Sequence, residues 1–413
     1  MNSDKDILPL QQTAREKLIN FLGLRRGIVG LLGMVVLVGL GEKMAERFLP
    51  LYLLALGGMA FMPGLLNALD NLLSALYSLP GAWLTDRFGG KRSLLIFNLL
   101  AMLGFLIVIV FPSWIAVFIG SFFFLSWTAI SLPATMDLVA KSLPKNKRTM
   151  GVSVHSLVRR IPMALGPLLG GLLIDQFGIE KGVRISFGCA FLLALTAIFL
   201  QQWLIKDDLH RSGSKEHPFA MAASMLRQMS SHLRQLLVAD ILIRFCEQIP
   251  YAYLAIWAMQ NAQGAKIDGV QFGILTSVEM AAAIMVYLPV AWLADRGGKK
   301  PFVLATFVFF TLFPLALLYS RSFWTLMAAF FLRGLKEFGE PTRKALIMDL
   351  APEDRKAAMF GTYYLLRDVV VSVGAGLGAW LWTISPAVNF LTAFAFGIAG
   401  TLWFAIKGKD CNK

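Results

Sequence analysis

The sequence predicts an all-α membrane protein of twelve transmembrane helices, arranged as two six-helix bundles related as parallel repeats. Three observations predict it. The chain of 413 residues is 57% hydrophobic and only 15% charged, with a mean hydropathy of +0.65, whereas soluble domains carry about 25% charged residues. At about 20 apolar residues per crossing, it divides into twelve spans. Finally, a fourteen-residue stretch recurs half a chain apart: residues 79–92 read LPGAWLTDRFGGKR and residues 288–301 read LPVAWLADRGGKKP.

The spans fall at 27–55, 61–84, 93–112, 114–138, 150–174 and 183–205, then at 234–258, 270–294, 301–320, 322–346, 357–383 and 387–406. They leave an N-terminal segment 1–26, a hydrophilic linker 206–233 between bundles 27–205 and 234–406, and a tail 407–413. The first 26 residues are polar and mixed in charge, so no cleavable signal peptide is expected. The three cysteines, Cys189, Cys246 and Cys411, are too few and scattered for a disulfide framework or a metal site. No metal, cofactor, nucleotide loop or nucleophile–base arrangement is expected, which argues against an enzyme.

Charge patterning orients the spans. With both termini on one side, the loops on that side hold 27 Lys and Arg, and those on the other hold four: Lys181, Arg184, Lys266 and Arg321. The positive-inside rule makes the first side cytoplasmic. The net charge of +14 then faces anionic lipid, and a nucleic-acid partner is not needed.

The repeat extends beyond the opening stretch. At an offset of 209, nine of its fourteen positions are identical and Asp70 meets Glu279. At 208, Pro133, Arg159, Gly166 and Gly170 meet Pro341, Arg367, Gly374 and Gly378. Duplicated six-helix halves in one orientation are an architecture of secondary transporters.

The remaining charges lie inside spans. Eight are basic: Lys43, Arg47, Arg159, Arg160, Arg244, Arg333, Lys336 and Arg367. Nine are acidic: Glu42, Glu46, Asp70, Asp240, Glu247, Glu279, Glu337, Glu340 and Asp368. Facing lipid, they would cost roughly 40–60 kcal/mol at about 2.5–3.5 kcal/mol each, far above a net stability of about 5–15 kcal/mol. They must face one another or water. Spans 3, 9 and 12 carry none and span 6 only Arg184 at its start, so these four form an outer, lipid-facing set. Glu42, Glu46 and Asp70, followed by Glu279 and Glu337, are the candidates for carrying a proton; the other charges are candidates for lining a substrate cavity. Trp127, Phe245, Tyr251 and Trp257 are candidates for an aromatic wall. His155, a lone histidine on span 5, is read as packing.

The repeated stretch between spans 2 and 3 and between spans 8 and 9 resembles the signature loop of the major facilitator superfamily. Ala82 and Ala291 stand where that pattern carries glycine, with Gly81 beside the first. The resemblance implies a twelve-helix transporter in which Asp86, Arg87, Gly89, Lys91 and Arg92, with Asp295, Arg296, Gly298 and Lys300, belong to a cytoplasmic gate. It implies that Asp86 bonds the N-terminal end of span 11, where free backbone N–H groups attract an anion, and that Arg87 pairs with an acid below span 4, for which Asp137 is placed. A second stretch, Gly166-Pro167-Leu168-Leu169-Gly170-Gly171, resembles the GPxxGG core of the antiporter motif of drug and solute exporters, with Pro162 where the fuller pattern has glycine. A third, Glu46-Arg47-Phe48, resembles part of the ExxERF motif of proton-coupled peptide transporters, but the earlier glutamate, Glu42, is one residue out of register.

The expectation is thus a proton-coupled carrier of a small organic solute, exporting it by alternating access through the bacterial inner membrane, and acting as a monomer with protons and lipid as its other partners. Uptake of a polar or zwitterionic solute such as a short peptide is the first alternative. A non-transporting receptor or lipid-handling protein on the same scaffold is the second.

Overall fold

The computed structural model describes residues 26–125, 127–142, 155–205, 224–261, 263–352 and 356–409, and among them the secondary structure is helical without a strand. In the N-terminal half, span 1 is α1 (Arg26–Glu46) continued by α2 (Leu49–Ala55); span 2 is α3 (Met62–Phe88), and span 3 is α4 (Gly90–Val110). Span 4 is α5 (Trp114–Phe124) with α6 (Trp127–Ser142), and spans 5 and 6 run through α7 (Arg160–Leu204). Gly178 divides α7 into its two crossings: its φ of 78° reverses the chain, a backbone open to glycine at no steric cost.

The C-terminal half repeats the plan with α8 (Ser231–Tyr251) and α9 (Leu254–Met259) as span 7, α10 (Gly269–Gly297), α11 (Lys300–Tyr319), a broken span 10, α14 (Lys356–Ile384) and α15 (Pro386–Lys407). Span 10 consists of α12 (Phe323–Gly334), a 3-10 turn over Leu335–Gly339, and α13 (Glu340–Leu350). Eight helical stretches are long and apolar enough to cross a membrane, one of them the double crossing His155–Leu204. Spans 2, 7 and 10 are not among them: span 10 is broken into pieces of 12, 5 and 11 residues, while α3 carries Asn67, Asp70 and Asn71 and α8 carries Asp240, Arg244 and Glu247.

The duplication is visible in three matched contacts. Gly89 and Gly298, equivalent in the repeat, cap α3 and α10 with φ of 81° and 87°. Lys91 Nζ donates to the carbonyl of Gln202 at 3.1 Å and its equivalent Lys300 to that of Ala405 at 2.8 Å, so each lysine satisfies a helix C-terminus at the end of its own half. Gly166 and Gly170 let span 5 touch the span 1 backbone at Lys43 and Met44, as Gly374 and Gly378 let span 11 meet Phe245 and Ile249 of span 7.

All four spans of the expected outer set present apolar side chains on the surface, as spans 4, 5, 8, 10 and 11 also do. Leu99, Leu103 and Leu106 of α4, Leu192, Phe199 and Trp203 of span 6, Leu312 and Tyr319 of α11, and Leu402 and Ile406 of α15 are exposed apolar side chains. The halves meet instead along spans 5 with 8 and 2 with 11. We call the end of the molecule near Arg26 and Lys407 the terminal face.

Candidate functional site

On the side away from the terminal face, the halves are sealed by close backbone approach and a few polar contacts. Gly171 of span 5 lies against the carbonyl of Gly269 at the start of α10, and Gly273 against Leu168. The carboxylate of Asp175 accepts from the backbone N–H groups of Gly269 and Val270 at 2.8 Å each, so an acid of one half caps a helix of the other. Ser277 Oγ donates to the Ala164 carbonyl at 2.8 Å, and Tyr253 Oη to that of Ala60 at 3.2 Å. Asn67 and Asn71 of α3 both reach Gln248 of α8, each placing Nδ2 3.2 Å from its side-chain oxygen.

Behind this seal lies a cavity of about 520 Å³, lined by Glu46, Arg47, Asn67, Asp70 and Tyr251 together with Leu49, Pro50, Leu66, Leu125 and Phe272. Arg47 stands over the Tyr251 ring, 5.3 Å from its centre. A second cavity of about 420 Å³ lies within the N-terminal half, between Glu42, Lys43, Trp127, His155 and Arg159. A third, of about 570 Å³, opens between the halves toward the terminal face and is lined by Ser156, Arg159, Arg160, Met163, Glu337 and Lys344. Arg160 spans it to reach Glu337 at 2.9 Å.

The interior charges expected from sequence do come together. On α1, Lys43 is one ammonium between two carboxylates, 3.3 Å from Glu42 and paired also with Glu46. In the C-terminal half the charges form one continuous chain. Arg367 joins Asp368 (2.6 Å) to Asp240 (3.5 Å), which also accepts from Tyr363 Oη (3.1 Å). Arg343 pairs with Asp240 and holds Glu340 at 2.7 Å. Arg244 lies 4.0 Å from Glu340 and 2.5 Å from Glu247. Lys336 then links Glu247 (2.7 Å) to Glu279 (3.6 Å), where Arg333 closes the chain at 2.8 Å.

Arg343 corrects the sequence reading, which counted it among the 27 loop Lys and Arg although it falls near the end of the span 322–346. Its side chain is 2% exposed and lies between Asp240 and Glu340. The signal was present: Lys336, Glu340 and Arg343 follow one another at three- and four-residue steps, the spacing of one helix face. Of the four aromatic candidates, Tyr251 lines the inter-half cavity and Trp127 the N-terminal one. The others are structural: Trp257 Nε1 donates to the Leu317 carbonyl at 3.0 Å, and Phe245 packs edge-on against Phe396. Asn67, Asn71, Gln248 and Asp175 were missed, because neutral amides carry no charge signal and Asp175 reads as a loop acid.

At the gate loops, Gly81 lies against the Ile130 carbonyl, so it supplies the close approach that the resemblance assigns to the next position. Arg87 stacks on Trp83 at 5.1 Å. The partner proposed for it, the side chain of Asp137, lies outside the described residues, as do those of Asp295 and Arg296. Gly166 and Gly170 serve packing within the half, whereas Gly171 serves the seal between halves.

Two homologous helical bundles enclosing a polar cavity, sealed on one side by contacts between them, define a membrane carrier. The chain belongs to the Major Facilitator Superfamily, whose model matches residues 31–265 and 236–410. It is 23% identical over 378 residues to the multidrug resistance protein MdtG of Salmonella arizonae, covering 90% of this chain and 91% of that one. It is also 23% identical to the MdtG of Serratia proteamaculans over 401 residues, 96% and 95% of the two chains. In fold it resembles a crystal structure of the peptide transporter POT in complex with sulfate (TM-score 0.75, 15% identity, 96% and 97% coverage). A mutant of the nucleoside transporter NupG is similar too (TM-score 0.79, 11% identity, 92% and 100% coverage). The chain is therefore a transporter of this superfamily, embedded in the membrane.

Proposed function

We propose that this carrier is a proton-coupled exporter of small organic solutes, working by alternating access with both termini in the cytoplasm. The observation that carries the reading is the arrangement of α1: two carboxylates, Glu42 and Glu46, share the single ammonium of Lys43 beside the cavities. The spare negative charge can be neutralised by a proton or by a rearranged partner, which links protonation to the position of span 1. The multidrug-resistance names of relatives that align over nearly the whole chain support export. The excess of Lys and Arg in the loops of the terminal face supports its cytoplasmic placement.

Glu42→Gln or Glu46→Gln is expected to abolish proton-driven transport in reconstituted liposomes while leaving expression and counterflow exchange intact. Unchanged driven transport in both variants would remove α1 from the coupling. Direction is read in inverted vesicles, where an exporter accumulates substrate when the lumen is acidified. Glu46-Arg47-Phe48 favours one second reading, uptake of a short peptide; accumulation of a labelled dipeptide by right-side-out vesicles would select it.

The signature loops serve in this proposal as a cytoplasmic latch. Asp86→Asn is expected to lower maximal flux several-fold with little change in the half-saturating concentration. If the variant mainly weakens substrate binding, the latch assignment fails.

A further inference from the structure

The interior charges are of two kinds. In the C-terminal half, five acids and five cations alternate in one chain, each already facing its counter-charge. A ligand ion can enter that chain only by breaking a buried pair, which leaves a charge uncompensated. Four interior cations stand outside it, of which Lys43 is paired with Glu42 and Glu46 and Arg160 with Glu337. Among the described residues, Arg47 and Arg159 make neither an ion pair nor a hydrogen bond to a carboxylate, and Nε of Arg47 is buried without an acceptor. Both line cavities, Arg47 at the sealed end of the inter-half cavity and Arg159 in the vestibule that opens toward the terminal face.

We propose that the substrate is an amphipathic organic anion, its carboxylate, sulfonate or phosphate group received by Arg159 in the vestibule and bound by Arg47 at the sealed end. The assignment rests on the transporter reading and names the substrate class of that same cavity. A guanidinium with unfilled N–H groups is a bidentate receptor for a planar or tetrahedral oxyanion. Tyr251, beneath the Arg47 guanidinium at 5.3 Å, supports its face and leaves its edge to a ligand. Of the acids on the same wall, Glu46 pairs with Lys43, and Asp70 takes part in an interaction of its own. The remaining wall, including Leu49, Leu66 and Phe272, is apolar and suits a hydrocarbon or aromatic body. Among the described residues that line the vestibule, Arg160 pairs with Glu337 and Lys344 with Glu340 at 3.4 Å, which leaves the Arg159 guanidinium to meet an anion.

The test uses three probes with one apolar body and different charge: naphthaleneacetate, naphthaleneacetamide and naphthylmethylammonium. Binding to the full-length protein in nanodiscs is measured by equilibrium dialysis against empty nanodiscs. The carboxylate is expected to bind at least about tenfold more tightly than the amide or the amine, the scale of one charge-assisted hydrogen bond. Arg47→Gln should remove that preference, Arg47→Lys should restore part of it, and Arg159→Gln should slow carboxylate association, followed separately by stopped-flow mixing, a few-fold. Because neither arginine holds a carboxylate, both glutamine variants are expected to melt near the parent temperature, which separates lost binding from lost folding. Equal or tighter binding of the amine, or an undiminished carboxylate preference in Arg47→Gln, overturns the proposal. Proton-driven flux of ethidium without naphthaleneacetate binding would keep the exporter and sink the anion site. Naphthaleneacetate binding that depends on Arg47, without flux of either compound, would keep the site and sink the exporter.

Discussion

Replacing Arg343 with methionine is expected to destabilise the C-terminal half by about 3–5 kcal/mol, the cost of leaving one partner of a buried ion pair uncompensated. The side chain is 2% exposed and serves two acids at once, Asp240 and Glu340. Without it, Asp240 keeps Tyr363 at 3.1 Å and Arg367 at 3.5 Å, while Glu340 keeps Lys344 at 3.4 Å. These remaining contacts soften the loss but leave too few donors for two buried carboxylates. The measurements are the yield of monodisperse protein in mild detergent and the midpoint of thermal unfolding, which should fall by on the order of 10 °C. Asp240→Asn added to Arg343→Met should recover part of the loss, because the amide no longer needs a counter-charge. A single variant that melts like the parent would show that the chain of ion pairs contributes little to the fold.

The second large effect falls on the seal between the halves. A Cβ on Gly171 would overlap the carbonyl of Gly269, a backbone atom that cannot rotate away. Gly171→Leu is therefore expected to keep the two faces of spans 5 and 8 apart and to cut transport by at least about tenfold, since alternating access needs each end to close in turn. Each half retains its own core, so expression should survive. A cysteine introduced at Asn67 should then react faster with an impermeant maleimide added from the face opposite the termini. Gly188→Ala is the control: nothing lies within 4 Å of a Cβ at that position. Asp175→Ala, which removes two 2.8 Å bonds from the α10 N-terminus, should produce the same change in smaller measure. Normal flux and labelling in Gly171→Leu would mean that this contact does not limit closure.

Both variants act at positions whose importance is read unequally well from sequence. Gly171 belongs to a motif that the resemblance singles out, yet the motif does not say that two of its glycines face span 1 and the third faces the other half. That difference depends on which neighbour each side of one helix meets. Arg343 shows the opposite failure, because a hydropathy profile assigns an arginine near a span end to the loop. Its burial follows from the 3-10 turn over Leu335–Gly339 and from Asp240 of α8, which receives it.

By itself, the sequence determined the twelve crossings, the duplication and its register, the polar interior and the outer set of spans. These follow from composition, periodicity and the high cost of charge in lipid, all of which act along the chain. It also marked Gly89 and Gly298 as turns, because their repeat positions share one chemistry. Only the tertiary structure decided which charges stand in ion pairs and with which partners. Lys43 and Arg47 sit four residues apart on one helix, yet the first is locked between two glutamates and the second faces the cavity over Tyr251. Ion pairing is a matter of a few ångströms between side chains on different helices. That distance is set by how the helices pack, and the order of residues does not record it.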